Sequence, residues 1–394
     1  MQSRYFPGEE YEARWAGVLA EMKRRGQTAA VVWGRSAGTH DHCGDVLYLT
    51  NHYANSAGLD SPLYKARSFA AVILREGETP ALHMDEPEPR LDVLATDRVE
   101  WHYDPIAGVA EALNRRDFRG RVALVGTNFL PVKYMRQLEQ QCPQIEWVAE
   151  DDLVQVVRRL KSTREQECYR TAGEIVTRGL NRLLEGLVLG RVEAEAAADA
   201  SAEVVRSGGR IHLVAANHGD TIGYICRNPL TGYSQDSPQP GDMVHGFLYG
   251  PMYQGYYLDP GRTAVAGGRP SAAQRTLVEA CAGIVEQVMA AIRPGTRVMD
   301  AAVLGDRLTT EFGGDADALT EAFPFYGHGV GLFFELPRIG TQLCTEEDMF
   351  EADMVLGVEA FLARAGVGSA AIEQNFIIHA NSNELLTTSP MYWW

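Results

Sequence analysis

The stretch Tyr326-Gly327-His328-Gly329-Val330-Gly331-Leu332 sets one histidine among three glycines separated by single residues. Glycine lets a backbone pass close to a ligand, or take dihedrals closed to other residues, at an entropic cost. A run of this kind presents its imidazole into a crowded site. Gly-His-Gly alone is a weak signal, and its weight comes from its company. Downstream lie Val355-Leu356-Gly357-Val358-Glu359 and Ala370-Ala371-Ile372-Glu373-Gln374-Asn375-Phe376; upstream lies Gly255-Tyr256-Tyr257-Leu258-Asp259-Pro260-Gly261-Arg262-Thr263. Together they offer one imidazole and three carboxylates, each in an apolar or glycine-rich, strand-like context. Carboxylates in buried strands need a partner, hydrogen bonds or a metal. One imidazole nitrogen with several carboxylate oxygens suits Mn, Fe, Co or Zn rather than a thiophilic ion. Asp259, His328, Glu359 and Glu373 are therefore the candidate ligands. The bland alternative, four unrelated residues on solvated edges, is open for any one of them taken alone.

At 394 residues the chain is long enough for two domains, each with its own core. A formal net charge of -16 disfavours nucleic acid and anionic membrane surfaces as partners. Cys43, Cys142, Cys168, Cys226, Cys281 and Cys344 are scattered without a CxxC pair, the pattern of reduced thiols rather than a disulfide frame. The first residues open into an amphipathic segment rather than a secretory signal, and no apolar run reaches transmembrane length. A cytoplasmic protein is expected.

Periodicity predicts a helix over 9–25, with Tyr11, Trp15, Val18, Leu19 and Met22 on one face and Gly26 closing it. Strands are expected at 29–33, 46–50, 68–74 and 121–126, with 68–74 turning into a hairpin with 81–84. A helix at 132–141 follows. This alternation makes 1–158 an α/β unit, and the charged junction from Val156 to Glu165 opens a second domain over 159–394. There, Thr163 with Gln166 is a candidate capping box for a long helix carrying Tyr169, Ala172, Val176, Leu180 and Leu183. Helices at 192–207, 272–292 and 298–312 are expected among strands at 211–215, 243–249 and 253–257 and strands carrying Glu359 and Glu373. Two helices, strands, two helices, strands reads as a duplicated architecture without a sequence repeat.

In that order, Gly241-Asp242-Met243-Val244, the Asp259 segment, Gly327-His328-Gly329-Val330-Gly331, Val358-Glu359 and Ile372-Glu373 resemble the pita-bread metallopeptidase family. That family includes methionine aminopeptidase, aminopeptidase P, prolidase and creatinase. The motifs cover residues 160–390, and the junction at 158–165 resembles the one preceding the catalytic domain in the last three. The resemblance implies an α/β (α+β) chain: a creatinase-like N-terminal α/β domain and a C-terminal pita-bread domain with pseudo-twofold helices and antiparallel sheets. It also implies a homodimer. By the same resemblance Asp259 is the bridging aspartate, His328 the single metal histidine, Glu359 the terminal glutamate and Glu373 the bridging glutamate. These four complete one metal position.

Three departures from the family pattern shape the expected chemistry. The first aspartate of the two-metal site falls near Phe247 or Leu248, neither of which binds a metal. His245, two residues from Phe247 on the same strand face, is the candidate substitute; a core or supporting imidazole is the alternative. Where family peptidases carry His-Glu after the glycines, this chain reads Phe333-Phe334-Glu335-Leu336-Pro337-Arg338, with Phe334 at the histidine position. The spacing is similar to that of the dimethylsulfoniopropionate lyases of this fold, without their acidic base or paired aspartates. In Ile225-Cys226-Arg227-Asn228-Pro229-Leu230-Thr231, Arg227 takes a histidine's place, and Arg338 matches the creatinase arginine that holds a substrate carboxylate. Arginine, permanently charged and bidentate, suits that task; a surface ion pair is the alternative for each.

The expected function is hydrolysis of a C–N bond in a small, carboxylate-bearing, amide or amino-acid-like compound, Xaa-Pro dipeptidase- or creatinase-like, with one divalent ion (Mn, Fe, Co or Zn) per chain. His328, Glu359 and Glu373 carry catalysis, Arg227 and Arg338 orient the substrate, and Phe247 and Phe334 exclude water. A lyase and a non-catalytic binding protein are the alternatives. Elsewhere, His40 and His42 read as a polar loop, and Tyr64-Lys65-Ala66-Arg67 is placed to reach a neighbouring subunit's site. The tail Met391-Tyr392-Trp393-Trp394 reads as apolar packing at a domain or dimer seam.

Overall fold

The computed structural model describes residues 5–35, 42–54, 59–86, 88–219, 222, 231–312 and 326–394. By its contacts the chain divides into two units, Met1–Arg158 and Arg159–Trp394. In the first, α1 (Gly8–Arg24) buries Tyr11, Arg14, Val18 and Met22. Gly26, at φ 73°, ends the turn that follows. The sheet order is β4-β3-β2-β1-β5-β6, from β1 (Ala29–Arg35), β2 (Phe69–Arg75), β3 (Ala81–Met84), β4 (Val99–Trp101), β5 (Gly120–Val125) and β6 (Ile145–Ala149). The β1–β2 and β2–β3 neighbours are antiparallel and the others parallel.

The expected strand at 46–50 is instead a helix, α2 (Gly44–Thr50). A short apolar run has no period that separates a strand from a buried helix. Local bonding decides here: Thr50 Oγ1 donates back to the Val46 carbonyl at 2.7 Å, and Asn51, left-handed at φ 57°, ends the turn. On one face of the sheet α3 (Pro105–Arg115) and α4 (Val132–Gln141) bury Val31, Trp33, Ile73, Val109, Leu113, Leu124 and Leu138. The short α5 (Gln155–Arg158) closes the unit, its Arg158 paired with Asp45 of α2 at 3.1 Å.

The second unit opens with α6 (Thr163–Val188), whose capping box begins one residue before the expected one. Ser162 Oγ accepts from the Glu165 amide at 3.2 Å, and Glu165 Oε2 accepts from the Ser162 amide at 2.8 Å. Ser162 and Thr163 both satisfy the capping pattern, so the pattern alone does not choose between them. Next come α7 (Glu193–Arg206), β7 (Leu213–His218), β8 (Met243–Tyr253), β9 (Tyr256–Leu258) and β10 (Gly261–Val265). A second helix pair, α8 (Ala272–Ala291) and α9 (Val298–Glu311), precedes β11 (Gly327–Val330), β12 (Phe334–Arg338), β13 (Val355–Arg364), β14 (Gly368–Ile378) and β15 (Asn383–Leu385). The sheet runs β12-β11-β13-β14-β10-β8-β7, antiparallel throughout, with β15 on β14 and β9 on β8.

Residues Leu277, Cys281, Ile284 and Val288 of α8 share a core with Leu356, Val358 and Ala360 of β13 and Ile372 and Phe376 of β14. Strand alternation then turns Gly357, Glu359 and Phe361, and likewise Ala371, Glu373 and Asn375, to the opposite face. The helix core thus aims the carboxylates. Met391 and Trp394 of the tail pack against the same core, with the Arg275 guanidinium 4.8 Å from the Trp394 ring. No described helix is long and apolar enough to cross a membrane.

Candidate metal centre

One register row crosses four strands. Phe247 of β8 pairs with Gly261 of β10, Gly261 with Glu373 of β14, and Glu373 with Glu359 of β13. Cross-strand partners share a face, so the two glutamates stand side by side. Asp259 enters from the link between β9 and β10, and His328 from β11 beside β13. His328 Nε2 lies 3.3 Å from Asp259 Oδ2 and 3.9 Å from Glu359 Oε1. One ligand atom each from Asp259, His328 and Glu373 falls within 4.8 Å of the others. All four side chains are buried. The glycine before His328 is required: Gly327 has φ 142°, and a Cβ there would sit 2.1 Å from the Gly357 carbonyl oxygen.

Burial opposes charge at Asp259, His328 and Glu373, and their neighbours decide how far each keeps it. Against its desolvation, Asp259 is held below its ordinary value by His328 and by hydrogen bonds from Glu373 and Asn375. Burial likewise acts against a charged His328, yet Asp259 first and then Glu359 lift it to about 9. Burial and then the charges of Asp259 and Glu359 push Glu373 well above the carboxylate range. The site thus favours positive charge on His328 and disfavours negative charge on Glu373 beside Asp259. Glu373 Oε1 is buried without a hydrogen-bond partner among the described residues. A Cβ added to Gly357 would meet that oxygen at 2.5 Å, so only glycine there leaves the space open. One imidazole nitrogen and several carboxylate oxygens around that space fit a divalent ion of the Mn-to-Zn series.

Two supporting residues in the quoted stretches had no role assigned from sequence. Asn375 Nδ2 donates to Asp259 Oδ1 at 2.9 Å, and its Oδ1 accepts from the Asp259 amide at 3.3 Å. Its spacing of two from Glu373 is the signal that places it on the same face. The buried Arg262 donates to the carbonyls of Gly261, Glu373, Ser389 and Pro390, which fixes the backbone beneath Glu373.

The Phe247 ring covers Gly261, where a Cβ would lie 2.0 Å from it. It packs with Ala215, Ala371, Leu213 and Phe361. The surface beside Glu373 is therefore apolar. His245 does not supply a substitute: its Nε2 donates to the Ser369 carbonyl at 2.9 Å, and its ring lies against Phe247 and Phe361. Phe334 meets His328 edge-on at 4.5 Å and stacks on Tyr249 at 5.4 Å, while Phe333 contacts Tyr257 at 5.6 Å. Tyr257 Oη is 2.8 Å from Nδ1 of His212, whose pKa burial pushes down to about 4. Tyr249, Tyr257 and His212 join this wall through tertiary stacking that no local pattern announces.

Arg338 is exposed and is the register partner of His328. Arg227 and His40 lie outside the described residues. His42 stacks on Phe129 at 4.6 Å, and Arg67 is used internally, 3.0 Å from Asp85 and 4.4 Å from the Tyr64 ring centre.

The profile of metallopeptidase family M24 matches residues 167–380, more than half of the chain. The chain belongs to that family. An Xaa-Pro dipeptidase of Pyrococcus horikoshii is 26% identical over 263 residues, 66% of this chain and 71% of the relative. A probable dipeptidase PepE of Mycobacterium tuberculosis is 28% identical across 84% of this chain and 83% of its own length. The crystal structure of dipeptidase PepE from Mycobacterium ulcerans aligns at a TM-score of 0.77 and 23% identity over 99% of both chains. The architecture is thus the mixed α/β, pita-bread fold of M24 proteins. Membership places this chain among hydrolases of peptide C–N bonds, a family that uses divalent metals.

Proposed function

We propose that this M24 protein hydrolyses a C–N bond in a small, carboxylate-bearing, dipeptide-like substrate, with one divalent ion held by Asp259, His328, Glu359 and Glu373. The observation that carries this reading is the register row: two glutamates opposed on one face, closed by Asp259 and His328, with the Phe247 ring beside them. Bound there, a divalent ion supplies Lewis acidity and lowers the pKa of a coordinated water. The chain's own groups do the rest. Glu359 or Glu373 would take a proton from the attacking water and return it to the leaving nitrogen, within the limits of a shared ligand role. Asn375 holds Asp259 in orientation. Phe334 lies over His328 and keeps bulk water off that side, with Tyr249 behind it. Arg338, exposed on the strand beside His328, is offered to the substrate carboxylate.

The Phe334 ring against His328 also favours a second reading, a protein that binds metal and ligand without turnover. Purified full-length protein, stripped of metal and reloaded with Mn²⁺, should be assayed against dipeptides ending in proline and against N-acyl amino acids. Release of free amine that depends on Mn²⁺, with one Mn²⁺ and all activity lost in His328→Ala, is the expected result. Hydrolysis undiminished by chelator, or two Mn²⁺ lost in His328→Ala, would overturn the reading. Mn²⁺ retention with no hydrolysis across the panel would select the non-catalytic one.

A further inference from the structure

Among the described residues a second group of side chains converges closely enough to hold an ion: His83, Glu100 and His102 of the first unit. The parallel strands β3 and β4 pair His83 with Glu100 in register. His102 follows Glu100 by two residues, on the same face of an extended chain. Three ligand-type side chains thus rise from adjoining strands on one side of a sheet, anchored on rigid backbone.

The distances are those of a site nearly formed. His83 is fully buried, and its Nδ1 lies 3.0 Å from His102 Nε2 and 4.0 Å from Glu100 Oε2. Two imidazole nitrogens bound to one tetrahedral ion at about 2.0–2.1 Å stand about 3.3 Å apart. A small opening of the pair admits the ion. Helix α3 holds His102 from behind: a Cβ on Gly108 would sit 2.3 Å from His102 Nδ1, so Nε2 stays turned toward His83. Glu100 is oriented by Arg115, 3.0 Å from its Oε1, as carboxylate ligands commonly are by an outer partner. Glu100 and His102 are half-buried, which leaves an entry path and room for water.

We propose that His83, Glu100 and His102 form a second metal site that takes a dication of the imidazole-preferring class, Zn²⁺, Co²⁺ or Ni²⁺. Two imidazoles and one carboxylate, with water completing the shell, select these ions over Mn²⁺. The oxygen-rich set around His328 accommodates Mn²⁺ more readily than this pair of imidazoles does. The other occupant of the gap is a single shared proton in an N–H···N bond, which binds no metal.

Equilibrium dialysis of the full-length protein against Co²⁺, with the visible spectrum recorded, separates the two. Wild type should hold one more Co²⁺ per chain than His102→Gln or Glu100→Gln, and the extra ion should carry its own absorption. Mn²⁺-dependent hydrolysis should be the same in all three proteins. Equal Co²⁺ content in wild type and both variants overturns the proposal and assigns the shared proton. Because the count compares these variants with wild type, it stands whether or not the His328 centre is catalytic. Should His102→Gln melt early, Glu100→Gln, altered at a half-exposed group, gives the decisive count.

Discussion

Replacing Gly357 by alanine asks directly whether the four side chains form one centre. Gly357 lies in β13 two residues before Glu359, and it is not among the left-handed glycines, so alanine costs no backbone strain there. The effect comes from one methyl. Its carbon would sit 2.5 Å from Glu373 Oε1, 3.0 Å from Asn375 Nδ2 and 3.5 Å from Asp259 Oδ1. Comfortable contact needs about 3.5 Å, so the Glu373 carboxylate has to retreat by about 1 Å. Its backbone cannot follow, because Arg262 grips the Glu373 carbonyl at 2.5 Å and β13 pairs with it. The displacement goes into side-chain torsions. Overpacking of this kind costs about 1–3 kcal/mol of stability. Loss of an outer partner alone weakens metal sites about 10–100-fold, so moving a ligand itself should weaken Mn²⁺ binding by at least about a hundredfold. Calorimetric Mn²⁺ titration, a melting curve and the hydrolysis assay together test this. Gly283→Ala is the control: its nearest neighbour would be Phe312 Cε2 at 3.9 Å, so it should gain about 0.5–1 kcal/mol and leave Mn²⁺ binding alone. Wild-type Mn²⁺ affinity in Gly357→Ala would refute the assignment of Glu373 as a ligand.

Lys161→Met should destabilise the protein by about 3–5 kcal/mol, because it strips the buried 2.5 Å partner from Glu335; a urea midpoint within error of wild type would show that other contacts suffice. Arg338→Ala should raise KM for a carboxylate-bearing substrate about ten- to a hundredfold with the melting temperature unchanged, and the opposite pattern would make Arg338 a structural ion-pair member. His52 is depressed by burial from 6.5 to about 4, so the unfolded chain takes up its proton first. Stability should be full above pH 6.5 and fall by up to about 3 kcal/mol as pH drops toward 4. His52→Gln should flatten that slope in pH-resolved denaturation, and an unchanged slope would show that His52 does not drive it.

Legibility in the sequence followed the range of the interactions. Glu359 and Glu373 stood out because a charged residue in an otherwise apolar run needs an explanation at that position alone, and His328 because its glycines are adjacent. Asn375 shares Glu373's alternation and was readable by the same rule, yet an amide in a strand carries no comparable electrostatic alarm. The 46–50 segment misled because its apolar run has no period, and its helix rests on the back-bond from Thr50 and the left-handed Asn51. Tyr249 and Tyr257 became neighbours of Phe334 and Phe333 only through strand pairing. The same holds for His83: read from sequence as one residue of a hairpin, it meets Glu100 because the three-residue strand β4 lies parallel beside it.

On the proposed reading, the register row also gives an electrostatic reason for a cation at this centre. Like charges directly opposite one another destabilise a sheet, and here Glu359 faces Glu373 with Asp259 alongside, all buried. Arg262, the buried guanidinium nearest in the chain to Asp259, points its donors at carbonyls and at the Gln374 amide oxygen rather than at these carboxylates. His328 contributes one positive charge at most. The remaining imbalance raises the Glu373 pKa, and an ion from solution would relieve it and favour an ionised Glu373 that is able to accept a proton. On that reading, metal binding and proton acceptance share one electrostatic condition. That coupling is why a methyl group on Gly357, which touches no substrate, should remove both.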